Sequence, residues 1–127
     1  MKPIFEIDGS RFDTLEGFYD EVSAELVSAP WGRNLDAFND ILRGGFGTPD
    51  GGFALRWTSS ERSRVVLGFE ATVRFLEDKL QRCHPTNVPS VAADLEAARR
   101  GEGQTLFEIV VEIIRSHDED GVELELR

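Results

Sequence analysis

Three short strand-like runs stand far apart in this chain, and what lies between them limits the fold more than any other feature. Ile4 to Ile7 alternates apolar and acidic residues and ends at Asp8-Gly9, the pattern of a first strand followed by a turn. Phe53 to Thr58 reads as a second strand, and Val122-Glu123-Leu124-Glu125-Leu126 alternates cleanly as a last one. Two helical patterns and a glycine-rich loop separate the first two strands. A hairpin cannot span that connection, so the pair is expected to run parallel through a right-handed crossover, which places the chain in the α/β class.

Helical spacing fills the gaps. Asp13 or Thr14 can cap a helix in which Leu15, Phe18, Val22 and Leu26 share a stripe, expected to run to about Ser28 with acids on its outer face. Leu35 to about Leu42 is a short acidic helix, followed by a glycine- and proline-rich loop from Gly44 to Gly52. Beyond Ser60 a short helical segment covers Glu61 to Leu67, and a longer one runs from Glu70 to Arg82 with Val73, Leu76 and Leu80 on one face. His84-Pro85 stops it, because proline restricts the residue before it and cannot continue the ladder. An alanine-rich polar helix from about Ser90 to Arg100 closes at Gly101-Glu102-Gly103, and Leu106 to Arg115 is the most hydrophobic helix. No internal repeat or second domain is evident, so residues 1–127 read as one domain.

A chain of 127 residues can bury roughly two-thirds of its unfolded surface, enough for a core without metal or disulfide. Hydrophobic residues make up 40% of it, which argues against global disorder. Fourteen Lys and Arg against 24 Asp and Glu give a net charge of −10, the wrong sign for direct contact with nucleic acid. Such a charge steers a protein towards basic partners instead. Cys83 is the single cysteine, so no internal disulfide forms and a reducing, cytoplasmic setting is expected. The N-terminus reaches acids by its sixth residue, unlike a signal peptide, and no window has the apolar length of a membrane span.

One run carries the functional signal: Trp31-Gly32-Arg33-Asn34-Leu35-Asp36-Ala37-Phe38-Asn39-Asp40-Ile41-Leu42-Arg43-Gly44. Asn34 is a good N-cap, Leu35, Phe38 and Leu42 form a buried stripe, and Asp36, Asn39, Asp40 and Arg43 fall on the opposite face. Like charges at i and i+4 cost an isolated helix roughly 0.2–0.5 kcal/mol. Asp36 gains from the helix dipole in the first turn, while Asp40 lies too far along to gain much. The pair therefore reads as a binding face for a cationic partner, not as a catalytic centre.

Other readings are weaker. Two aspartates could join Mg²⁺ with substrate phosphates, but no third ligand or phosphate-cradling lysine is near. The glycine loop lacks the Gly-Lys-Ser/Thr ending of a P-loop and reads as a flexible connector. Cys83-His84 has no second cysteine or suitably spaced histidine and marks a helix end. His117 suits a helix C-terminus, where partial positive charge is favourable. Trp57 is expected in the core and Trp31 as a half-buried anchor. No metal or cofactor is expected.

The block Gly32, Asn34, Leu35, Asp36, Ala37, Asp40, Leu42 and Gly44, followed by Leu55-Arg56-Trp57, resembles the barstar family, small acidic intracellular inhibitors of barnase-like ribonucleases. The resemblance implies a small three-stranded parallel sheet flanked by helices, with a helical insertion around residues 64–105. It implies no enzyme activity. The implied role is an immunity protein, monomeric when free, that blocks a basic ribonuclease toxin with carboxylates standing in for substrate phosphate. Asp36 and Asp40 would lead the contact, Gly32, Asn34 and Trp31 would present the preceding loop, Asn39 and Gly44 would flank it, and Glu112 would add an acid from the last long helix. Departures are Asn39, Gly45 and Pro30, where the archetypal inhibitor carries aromatics. Aromatic anchors commonly hold interface energy, so a divergent toxin is expected in place of barnase itself. A protein-interaction adaptor on the same scaffold is the alternative.

Overall fold

The structure is a computed structural model that describes residues 2–127. Strands β1 (Ile4–Asp8), β2 (Ala54–Thr58) and β3 (Glu123–Leu126) form one sheet in the order β1-β2-β3, both pairs parallel. Six helices fill the connections: α1 (Leu15–Glu25), α2 (Leu35–Ile41), α3 (Ser60–Val66), α4 (Phe69–Arg82), α5 (Val88–Arg99) and α6 (Leu106–Arg115). The parallel first pair expected from the strand spacing and the three-stranded parallel sheet implied by the resemblance are both present.

Alternation in the strands decides which face is covered. Parallel sheets wrapped on both sides read as continuous apolar runs, whereas β1 and β3 alternate. Ile7, Leu55 and Trp57 point into the core with Phe5, Leu124 and Leu126 packed beside them. Glu6, Arg56 and Glu125 share a register row facing the other way, and Arg56 Nε donates to Glu125 Oε2 at 2.9 Å. Helices α1, α2 and α6 supply the core side through Phe18, Phe38 and Phe107.

Trp57 is the hub. It is fully buried, stacked on Phe18 at 5.4 Å, edge-on to Phe107 at 5.2 Å, and near Phe12 at 6.4 Å. Its indole N–H donates to Ser63 Oγ of α3 at 2.9 Å, so the ring's one polar atom is satisfied inside. Gly52, at φ +94°, lets the chain enter β2 against the turn before β3. A Cβ there would lie 2.4 Å from the Gly121 carbonyl oxygen.

One helix end and one loop differ from what the sequence predicts. Helix α1 stops at Glu25 instead of about Ser28, because the Ser28 N–H is taken by the Phe46 carbonyl at 2.8 Å and the chain turns away. The glycine loop expected to be a loose connector is tied down by that same bond and by Thr48 Oγ1 donating to the Ile41 carbonyl at 2.7 Å. Within residues 64–105, Leu67 belongs to the main core, while α4 and α5 pair around a small cluster of their own: Leu76, Val91, Leu95 and Ala98. Thr72 Oγ1, accepting from the Leu106 N–H at 2.7 Å, fastens this helical pair to α6. Helix α6 begins on a complete capping box, Thr105 with Glu108.

Replacing Ser63 with alanine leaves the Trp57 N–H without a partner in a site closed to water. The Ser63→Ala variant is expected to lose about 1–3 kcal/mol in urea unfolding. An unchanged unfolding midpoint would show that the bond contributes nothing.

Candidate functional site

The loop before α2 is shaped by α1. Trp31 is half-buried, edge-on to Tyr19 at 5.7 Å, and its Nε1–H donates to Ser23 Oγ at 2.8 Å. Arg33, at φ +50°, a conformation uncommon outside glycine, donates from one guanidinium nitrogen to Ser23 Oγ at 3.0 Å and pairs the other with Asp20 at 2.6 Å. Ser23 in turn donates to the Tyr19 carbonyl at 2.9 Å. A serine hydroxyl has one donor and two acceptor positions, and all three are filled. Ser23 and Arg33 thus hold the loop, and neither was legible in the sequence as more than a polar residue.

Helix α2 follows from its cap. Asn34 Oδ1 accepts from the Ala37 N–H at 2.7 Å, and Asn34 Nδ2 donates to the Gly32 carbonyl at 3.3 Å. Both ends of the Asn34 amide are therefore used within the chain: the cap is the role its position predicts, and the bond to Gly32 adds to it. Gly32 lies close over the helix start, since a Cβ there would come 3.0 Å from Ala37 Cβ. Phe38, Ile41 and Leu42 are fully buried and fix the inner side of the helix; Leu35, expected in that stripe, is half-buried. Gly44 sits at φ +104° just past the helix, where any side chain would meet Asp50.

The outer side belongs to the acids. Asp36 and Asp40 are exposed one helical turn apart. Asp36 enters no ion pair among the described residues, and Asp40 has only Arg43 at 4.0 Å, both of those side chains being 63% exposed. Contacts of that length and exposure are worth little, so both carboxylates are free to meet a partner.

Tyr19 reports the local field. Burial pushes its phenol up to about 12, helped by the carboxylates of Glu16 and Asp36 and opposed by Arg33 and Arg82. Asp36, the Tyr19 side of α1 on which Trp31 packs, and Arg82 at the end of α4 thus share one electrostatic neighbourhood.

Asn39 and Glu112 are placed differently from the exposed acids of α2. Asn39 is on the flank of α2 and turns inward, its Oδ1 lying 2.6 Å from Nε2 of the buried His117. His117 therefore does more than sit at a helix end, since its other nitrogen holds Asp120 at 2.6 Å. Glu112 accepts from Gln104 and lines a cleft of about 330 Å³ with Arg64, Phe107 and Arg115, on the side of α6 away from Val110 and Ile114. Gly32, Trp31, Asn34, Asp36, Asn39, Asp40 and Gly44 are brought together on and around α2, and Glu112 is not among them. Among the described residues no three His, Cys, Asp or Glu side chains are gathered to hold a metal, and no helix is long and apolar enough to cross a membrane.

A family model described as Barstar (barnase inhibitor) matches residues 2–93. That stretch runs from β1 through α4 into the start of α5 and contains each candidate residue named above except Glu112. No curated protein matches the chain.

The sequence contains one tyrosine, so its ionisation can be followed by absorbance without ambiguity. Folding raises the phenol from 10.0 to about 12, so the folded protein keeps a proton that the unfolded chain releases. Stability is accordingly full below pH 10 and falls as pH rises towards 12. A folded-state midpoint at the ordinary tyrosine value would contradict the burial of that ring. Separately, Asn34→Ala is expected to lose about 1 kcal/mol with the cap, measured by denaturation.

Proposed function

From the chain's membership of the barstar family, we propose that it is an intracellular immunity protein that inhibits a basic, barnase-like ribonuclease toxin by occupying its active site. The observation that carries this reading is the pair Asp36 and Asp40: exposed, one turn apart, without strong partners in the chain, on a helix whose other side is locked into the core. A pocket built to hold phosphate is lined with lysine and arginine, and two carboxylates on a firm helix offer the same charge without a bond to cleave. The inhibitor performs no chemistry. It excludes RNA by occupancy, and its net charge of −10 draws the cationic enzyme in. The barnase–barstar pair is itself the reference case for such steering.

The bonded loop supports this reading because it limits what must be ordered on docking. Trp31, Arg33 and Asn34 are already held by Ser23, Asp20 and Gly32. Preorganised surfaces lose less entropy on association. Trp31 and Gly32 then border the acidic face on one side and Gly44 on the other, while Asn34 acts through the shape it gives the loop.

Co-expression with a panel of basic ribonucleases, scored by rescue of growth, is the direct test, and rescue by at least one is expected. Asp40→Ala and Asp36→Ala should each weaken the complex by several-fold or more, and association should slow as salt is added. Rescue by none of the panel would favour an adaptor on the same scaffold. Salt-insensitive association with an unaffected Asp40→Ala variant would remove the electrostatic mechanism.

A further inference from the structure

His117 is a buried imidazole, 3% exposed, that touches the acidic helix without belonging to its outer face. Its Nδ1 lies 2.6 Å from Asp120 Oδ2 and its Nε2 lies 2.6 Å from Asn39 Oδ1. A neutral imidazole has one donor and one acceptor nitrogen, and only the imidazolium donates from both. The contacts suit a ring that donates from both nitrogens and, with the Asn39 amide turned over, equally a neutral ring that donates to Asp120 and accepts from the Asn39 NH2. The backbone holds the ring in place as well. The His117 N–H donates to the Ile114 carbonyl at 3.1 Å, and its carbonyl accepts from Asp120 at 3.0 Å and Val122 at 3.2 Å.

Asn39, 78 residues earlier, stands next to Asp40 on α2. Its side-chain amide has two unlike ends, an acceptor carbonyl and a donor NH2. Whichever end meets the ring, the other is turned away from it, on a residue that is only half-buried beside the exposed Asp40.

We propose that His117 is a positioning residue for the acidic helix, and that the proton on its Nε2 selects which end of the Asn39 amide a docked partner meets. The proposal rests on the inhibitory reading above. With Nε2–H present, the Asn39 carbonyl is held by the ring and the NH2 is turned outward. When Nε2 gives its proton to water, the amide turns over, its NH2 donates to the bare nitrogen, and its carbonyl faces out. Nδ1–H keeps Asp120 in both states, so one hydrogen bond is exchanged for another and none is lost.

The two states suit a cationic pocket differently. Lysine and arginine donate, so an outward carbonyl accepts from them and an outward NH2 opposes them. Loss of the ring's positive charge beneath α2 acts in the same direction. Charged residues on the elements that meet the ring are Asp120 in direct contact, Asp118 and Glu119 on the same turn, Asp36, Asp40 and Arg43 on and just after α2, and Glu108, Glu112 and Arg115 on α6. A basic partner therefore selects the ring without its Nε2 proton, and docking releases that proton.

The free protein gives the first measurement. Nitrogen-15 NMR across the range in which histidines titrate, about pH 5 to 8, should show the Asn39 side-chain NH2 resonances moving in step with the His117 ring. In His117→Gln, whose amide can bond Asn39 but cannot change charge there, those resonances should stay still. An Asn39 amide indifferent to the ring's proton in the folded wild-type protein would overturn the proposal. Affinity for a ribonuclease that passes the rescue test should then change by about tenfold over the same range, the size of one charge-assisted hydrogen bond, and be flat in His117→Gln. A pH-dependent affinity kept in His117→Gln would also overturn it. If no ribonuclease binds, the inhibitory reading fails while the amide measurement still decides the coupling.

Discussion

The contact on which the other elements depend is the indole of Trp57 in the middle strand. Its faces and edges meet Phe18 of α1 and Phe107 of α6, and its N–H meets Ser63 of α3. Three helices are thereby indexed to one side chain. Helix α2 joins the same assembly at one remove, through Phe38 against Phe18 at 5.3 Å. The acidic face inherits its firmness from this chain of aromatic contacts, because seven residues of helix have too few hydrogen bonds to be stable alone.

Elements whose signals are local were legible in the sequence. Helix α6 runs from Leu106 to Arg115, the bounds its apolar repeat implied, because the Thr105–Glu108 capping box and the repeat agree. The cap at Asn34 and the inward Phe38 were equally readable. What escaped detection depends on residues far apart in sequence. Asn39 looked like one more polar group on an outer face, and nothing near it announces a histidine 78 positions later. The left-handed Arg33 and the three-way use of Ser23 follow from how the loop lands on α1, which no residue type encodes. Glu112 was carried over by resemblance alone, and the helix face it occupies points to a different cleft.

The charges on this molecule divide by how they are used. Many acids are paired with a nearby arginine: Asp78 with Arg82, Glu70 with Arg74, Glu96 with Arg99, Asp20 with Arg33. Exposed pairs of this kind add little to stability but cancel much of the local field. Against that background Asp36 and Asp40 stand out by sharing one exposed helix face with only the 4.0 Å Arg43 contact to answer them. An excess of acid spread evenly would give solubility. Concentrated on a firm helix beside a fixed loop, it gives direction.

The order of the sheet leaves β1 and β3 as its borders, each with one flank unpaired. Unpaired strand flanks are templates on which identical chains can add to one another. Here both borders are short, five residues and four, and Lys2 reaches across to Glu123 and the Gly121 carbonyl, so charged side chains crowd the ends where such growth would start. The alternation that leaves one side of the sheet wet also keeps a sticky ribbon from forming. Identical copies of this chain therefore meet only short, charge-flanked borders, which disfavours polymerisation edge to edge.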